Sequence, residues 1–270
     1  MTSPVVGILT DFGTKDYFVP AVKAVILSIN PEVRIVDISH EVEAFATRQA
    51  AFLLWAVAPY FPEGAVFLVV VDPGVGSGRR ILVVKGKKHF YVGPDNGVLS
   101  PALEAEGWKE VRELRTEKFF LPSSSRTFEG RDKMAPVVGW LSRGIPLKEF
   151  GPLVSSWEKI FFPPPRISSQ IIDGEILSID RFGNLITNIP GMEFKEWLRN
   201  RAGQNIRLDV GGVSFWASYG ESFFSAPPKK MALIVGSCGY LEVAAREASA
   251  AKKLKARIGA RIMIRTERVE

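Results

Sequence analysis

The chain has 270 residues, which is room for two domains. Hydrophobic residues make up 46%, enough for a substantial core and against extended disorder. The net charge of +6 admits an anionic partner, but no apolar run reaches the roughly 18 residues that span a bilayer, the first residues do not read as a signal peptide, and a single cysteine, Cys238, allows no internal disulfide; the expectation is a cytoplasmic protein with no membrane partner.

In chain order, PVVGILT (4–10) reads as a buried strand and DYFVPAVKAVILSIN (16–30) as a well-buried helix. VRIVDIS (33–39) is a second strand, FATRQAAFLLWAVAPY (45–60) a second helix stopped near Pro59, and AVFLVVV (65–71) a third strand, apolar on both faces. Such continuous Val/Leu runs fit a parallel sheet covered on both sides, and the β-α-β-α-β order points to an α/β layered domain with a mostly parallel sheet. ILVVKG and HFYVG read as a short antiparallel addition, and a helix is expected from about Arg131. At FFPPPRISSQ (161–170) three consecutive prolines exclude a helix or a central strand, so a semi-rigid linker is expected. Beyond it come short strands with turn signals, IDGEILSID, GNLITNI, QNIRLDV, VSFWAS, KMALIV, YLEVA and RIMIRT, with helix only at FKEWLRN (194–200) and REASAAKKL (246–254). That density of short strands suggests a small β-barrel or sandwich. The expected limits are 1–160 for the α/β domain, 161–173 for the Pro-rich linker and 174–270 for the β domain. The densest basic run, 252–265, reads as a solvated helix end followed by a last strand, so no nucleic-acid partner is expected.

Ligands of open α/β sheets bind at the carboxyl ends of the strands. The three strand ends here carry TDFGTKD, DISHE and DPGVGSGRR, and so bring Asp11, Asp37, His40 and Asp72 to one edge. DPGVGSGRR fails as a phosphate loop, because no Lys-Ser/Thr follows its glycines and Ile81 starts a strand rather than a helix. Asp72 and Arg79 instead flank a tight turn in which they can face each other, either as a structural ion pair or as a carboxylate held ionised and oriented. Glu129 and Asp132 lie near a helix start, where acids are ordinary caps, or else belong to a site loop that also carries Phe128. In the β-rich part, SIDRFGNLITNI and GSCGYLE are either plain hairpin turns or, together, an acid, an amide, a hydroxyl and exposed backbone suited to an amino acid or a nucleobase edge.

Seven ordered blocks, ILTDFGTKD, VDISHEV, FPEGAVFLVVVDPGVGSGRR, VGPDNGVLS, TFEGRD, IDRFGNLITNI and GSCGYLEVA, resemble the S-adenosyl-L-methionine (SAM) hydroxide adenosyltransferase family, the adenosine-forming SAM hydrolases related to the fluorinase and chlorinase. The resemblance covers nearly the whole chain. It implies an α/β N-terminal domain, a small C-terminal β-barrel domain, and a homotrimer with sites between subunits, SAM lying between the first domain of one subunit and the second domain of its neighbour. It further implies that Asp11 holds the ribose hydroxyls, that Phe45 lies against the nucleoside, and that Phe128 and Phe182 line the reacting pocket. Asp180 would pair with the methionine ammonium, and Ser237 and the backbone near Cys238 would take the methionine carboxylate. Asn184 and the backbone around Ala245 and Glu247 would meet the adenine edge, with Glu242 touching the ligand from the same loop.

The implied chemistry is nucleophilic substitution: water or hydroxide attacks the 5′ carbon, and the sulfonium releases L-methionine and leaves adenosine, with SAM as substrate and no cofactor. Asp72 and Arg79 match the first two members of the family's Asp-Arg-His set, Asp72 orienting or deprotonating the water and Arg79 holding Asp72 and supporting hydroxide character. The family's TFHGRD reads TFEGRD here, so Glu129 stands in the third catalytic position. Glutamate acts there as a base if burial or Asp72 raises its pKa, but it cannot donate as an imidazolium does. Two alternatives follow: a SAM- or adenosine-binding protein with weak or no hydrolysis, because Glu129 replaces the histidine, and, less favoured, a SAM-dependent halogenase. An acid at position 72 would repel a halide.

Overall fold

The computed structural model describes residues 3–122, 125–199, 201, 205–225, 227 and 230–267. Asn200 and Gln204, at the ends of two predicted elements, and Ser123 and Ser124 of the predicted site loop, lie outside the described residues. The chain divides into two compact units, Met1–Phe161 and Phe162–Glu270.

The first unit runs β1 (Val5–Thr10), α1 (Phe18–Ile29), β2 (Arg34–Ser39), α2 (Thr47–Val57), β3 (Val66–Val70), β4 (Ile81–Gly86), β5 (Phe90–Pro94), α3 (Ser100–Glu106), β6 (Trp108–Glu113) and α4 (Ala135–Ser142). One six-stranded mixed sheet has the order β2-β1-β3-β5-β4-β6. β1 pairs in parallel with β2 and β3, and β3 with β5, while β4 is antiparallel to β5 and β6. All five residues of β3 are buried, as the unbroken apolar run requires of a strand covered on both faces. On one face Val6, Ile8, Leu68 and Val70 pack against Val22 and Ile26 of α1 and Val137, Val138 and Leu141 of α4. Each such side chain contributes about 1.5–3 kcal/mol on burial.

β4 and β5 form the predicted antiparallel hairpin, but it is not an addition at the rim. β5 sits inside the sheet, parallel to β3, because the 71–80 connection carries β4 one place further out and leaves a slot that Tyr91 and Val92 fill without exposure. The chain leaves β1 to one side to form β2 and returns to the other side to form β3. The carboxyl ends of β1 and β3 therefore flank a topological switch point, where such sheets form a ligand crevice.

The second unit runs β7 (Arg166–Ile167), β8 (Ile171–Ile179), β9 (Leu185–Pro190), α5 (Gly191–Arg199), β10 (Asn205–Val210), β11 (Val213–Tyr219), β12 (Met231–Val235), β13 (Tyr240–Ala245), α6 (Ala250–Leu254) and β14 (Arg261–Glu267). The order β14-β10-β11-β12-β13-β9-β8, with β8 pairing back to β14, closes a seven-stranded barrel, and β7 adds a short pairing to β8. Closure satisfies the strand edges, and Ile176, Leu185, Leu208, Leu233, Val243 and Ile264 fill the interior. Of the predicted helix 246–254 only Ala250–Leu254 is helical; Ser249 caps it, its hydroxyl oxygen accepting from the Lys252 N–H at 3.1 Å.

Candidate functional site

β3 delivers Asp72 to the switch point, and the glycine-rich turn brings Arg79 back onto it. Arg79 Nε donates to both carboxylate oxygens of Asp72, at 2.9 and 2.8 Å, and a terminal nitrogen bonds Oδ2 as well. The turn is built for this approach. Gly76 has φ +77 and lies against the Arg126 carbonyl, while a Cβ at Gly74 would crowd Arg79 Cγ at 3.2 Å. The Asp72 and Arg79 side chains are 5% and 11% exposed, so the pair is largely withdrawn from solvent screening.

Arg79 serves a second acid. Its terminal nitrogen lies 2.5 Å from Glu129 Oε2, and Lys133 Nζ lies 2.5 Å from Glu129 Oε1. Glu129 enters a π-helical turn, Gly130–Met134, that leads into α4, and Lys133 falls on the same side one turn later. Burial pushes the Glu129 carboxyl up, but the Lys133 hydrogen bond and the charges of Arg79 and Lys133 outweigh it and hold the group below its ordinary value. The condition under which glutamate acts as a base at this position, a raised pKa, is therefore not met: two cations keep Glu129 ionised.

At the end of β1, Asp11 Oδ2 accepts from the Phe45 N–H at 2.9 Å, and Phe45 itself has φ +67 and stands exposed. Beneath this loop, Thr10 Oγ1 and His40 Nδ1 share a hydrogen bond of 2.8 Å, and the Gly13 N–H donates to the His40 carbonyl at 2.7 Å. The ends of β1 and β2 are thus tied together. Phe128 is buried among aromatic rings, edge-on to Phe12 at 5.7 Å and Phe18 at 5.1 Å, so it forms a wall of the core as much as of any site.

In the barrel, the turn after β8 is organised by Asp180, whose Oδ1 accepts from the Phe182 and Asn184 N–H groups and whose Oδ2 accepts from Asn184 Nδ2. Gly183, at φ +86, presses this turn against Ser249, and its carbonyl accepts from the Ala251 N–H at 2.9 Å. The result is a cavity of about 600 Å³ whose walls include Phe182, Asn184, Phe224, Ala245, Arg246 and Glu247. Phe182 and Phe224 are 77% and 76% exposed there, and the Arg246 guanidinium lies over the Phe224 ring, 4.6 Å from its centre. Ser237 and Cys238 lie on the Gly236–Gly239 turn between β12 and β13, with Ser237 exposed. Glu242, on β13, is buried, and burial together with the Asp180 charge pushes its carboxyl up to about 7.

Family models match both parts of the chain: the SAM hydroxide adenosyltransferase N-terminal domain over residues 6–151 and its C-terminal domain over residues 174–263. The chain belongs to the SAM hydroxide adenosyltransferase family. It is 36% identical over 253 residues to the (R)-S-adenosyl-L-methionine hydrolase of Thermus thermophilus, covering 91% of this chain and 93% of that protein. It is 27% identical to the fluorinase of an Actinoplanes species, covering 97% of each chain. The crystal structure of an uncharacterized conserved protein from Thermotoga maritima superposes with a TM-score of 0.89 at 38% identity, covering 96% of this chain and 99% of that one.

In this family member, the structure brings Asp72, Arg79 and Glu129 into one cluster and Asp11 against Phe45. It places Phe182, Asn184, Ala245 and Glu247 on one cavity, whereas Ser237, Cys238 and Glu242 are not among its lining. The sequence reading missed Lys133, Phe223, Phe224 and Arg246. Lys133 was findable as the i+4 cation after Glu129. The Phe223-Phe224 pair was findable as two large apolar residues inside an otherwise polar, Pro-rich loop, ESFFSAPPKK.

Proposed function

We propose that this chain hydrolyses S-adenosyl-L-methionine to adenosine and L-methionine by attack of water or hydroxide at the 5′ carbon. The observation that carries this reading is the buried Asp72–Arg79 pair at the carboxyl end of β3, beside the switch point, in a chain whose relatives are named for SAM hydrolysis. In the step, the water oxygen bonds to C5′ as the C–S bond breaks, methionine departs as a neutral thioether, and one proton is released. The sulfonium needs no acid. What the protein supplies is alignment and partial desolvation of the water. Asp72 accepts the water's proton, and Arg79 holds Asp72 and supports hydroxide character. Glu129, held ionised, is a charge in this network rather than the base.

The remaining roles belong to the same proposal. Asp11 and Phe45 hold the ribose side, and Phe128 backs the reacting pocket. Phe182, Asn184 and the backbone of Ala245 and Glu247 take the adenine, which the exposed Phe182 and Phe224 rings suit. Asp180 pairs with the methionine ammonium, Ser237 and the backbone near Cys238 take its carboxylate, and Glu242 touches the ligand from the same loop. The reaction uses no cofactor. We further propose a cytoplasmic homotrimer with sites between subunits, and domain limits of 1–160, 161–173 and 174–270. No described helix is long and apolar enough to cross a membrane.

The test is to incubate the pure protein with SAM of each sulfur configuration in oxygen-18 water, with chloride present, and to identify the products by chromatography and mass spectrometry. Adenosine carrying the label at its 5′ oxygen, with methionine, is expected. Tight SAM or adenosine binding without turnover would establish the binding-protein reading, and 5′-chloroadenosine the halogenase reading. Two carboxylates around one guanidinium disfavour a halide at that place.

A further inference from the structure

We propose that Lys133 is a positioning residue for the Asp72–Arg79–Glu129 cluster: by taking one oxygen of Glu129 it turns the other toward Arg79 and matches the second carboxylate with a second cation. This inference rests on the hydrolase reading above and adds a residue that the Asp-Arg-His pattern does not contain.

The geometry is specific. Glu129 is 6% exposed and divides its two oxygens between Arg79 and Lys133, each at 2.5 Å. Without Lys133, Asp72 and Glu129 would both claim the single guanidinium of Arg79, leaving one uncompensated carboxylate where little solvent reaches. Glu129 would then either protonate or draw Arg79 away from Asp72, and the orientation of the water-handling carboxylate would suffer in either case. Lys133 is itself aimed, with its ammonium 5.7 Å from the centre of the Phe120 ring. It approaches from a cavity of about 440 Å³ whose rim also carries Glu117, Arg126 and Asp132, so its charge stays partly solvated while it reaches the buried acid. Asp132 is engaged by Arg131 at 2.6 and 3.0 Å. The groups that face Glu129 directly are therefore Arg79 and Lys133, with Asp72 beyond Arg79.

The test is a double-mutant cycle in the full-length protein. Lys133→Met is expected to lower kcat on the order of tenfold or more with the KM for SAM little changed, and to move the acid limb of the kcat–pH profile to higher pH, because Glu129 then protonates more readily. Lys133→Arg is expected to keep most of kcat. In a Glu129→Gln background, which has no second charge to match, Lys133→Met is expected to cost little further. An unchanged kcat and acid limb in Lys133→Met, or an equal loss in both backgrounds, would overturn the proposal.

If the wild-type protein forms no adenosine, the hydrolase reading fails by itself, and Lys133 is judged by stability instead. An ionised Glu129 whose pKa is depressed by Lys133 stabilises the fold above its ordinary value and loses that contribution as pH falls through the folded one. The stability difference between wild type and Lys133→Met should then be largest near neutral pH and close in acid. A difference independent of pH would overturn the proposal in that case.

Discussion

Glu242 and Glu129 are both buried acids with opposite fates, and their neighbours decide which. Glu129 has two cations and stays ionised, whereas Glu242 has the Asp180 charge nearby and sits at about 7. For Glu242 the folded value lies above the unfolded one of 4.5, so between these values the native chain keeps a proton that the unfolded chain has lost. Stability from this group is present at low pH and is lost as pH rises through that window, by up to about 3 kcal/mol. Glu242→Gln should therefore raise the unfolding temperature at about pH 8 and change little at about pH 5. Thermal unfolding at the two pH values checks this, and equal shifts at both would contradict it. At this scale the sequence carried identity but not environment. TFEGRD displays Glu129, yet the two cations that hold it ionised come from elsewhere, Lys133 through a π-helical turn and Arg79 through the β3–β4 connection. Asp180 could be read either as a site acid or as a turn former, and three of its hydrogen bonds organise its own turn.

Among elements, the β3–β4 connection decides whether Arg79 meets Asp72. Gly76 needs a left-handed backbone, and an added Cβ would meet the Arg126 carbonyl at 3.2 Å, while Gly78 has open space around it. Gly76→Ala should lower stability by about 1–2 kcal/mol and reduce kcat by displacing Arg79, whereas Gly78→Ala should be close to neutral. Urea unfolding and turnover of the two variants decide the matter; similar effects in both would argue against this account of the turn. The strands and helices before residue 72 were readable because their apolar runs are long and their breaks are marked by Pro, Gly and Asp. α3 and β6 were not read, since SPALEAE and WKEVRE carry many charges and a weak period. The place of β5 inside the sheet was also not readable, because strand order is set by tertiary pairing and leaves no mark on local sequence.

At the level of the whole molecule, each unit has its own core, one layered around a mixed sheet and one enclosed by a barrel. The change of pattern after the prolines at 163–165 made two architectures visible and left the second open between a barrel and a sandwich, which only the resemblance narrowed to a barrel, whereas assembly leaves no such trace in the sequence. The proposed homotrimer predicts a sedimentation mass three times that of the chain at micromolar concentration, and a stable monomer that still turns over SAM would count against sites between subunits. Ultracentrifugation with and without ligand makes the measurement. The chain has only two histidines, each beside a carboxylate, and the fold puts them in different places. His89 is locked, its Nδ1 lying 2.6 Å from a Glu106 oxygen that also accepts from the Tyr91 hydroxyl at 2.6 Å. His40 lies under the Asp11 loop, its Nδ1 bonded to Thr10, its Nε2 3.0 Å from Asp37 Oδ1 and its carbonyl accepting from Gly13. An imidazole proton spectrum of the unlabelled protein thus contains its own probe and its own reference: the His40 resonances register whatever settles on the Asp11 loop, and those of His89 stay fixed beside them.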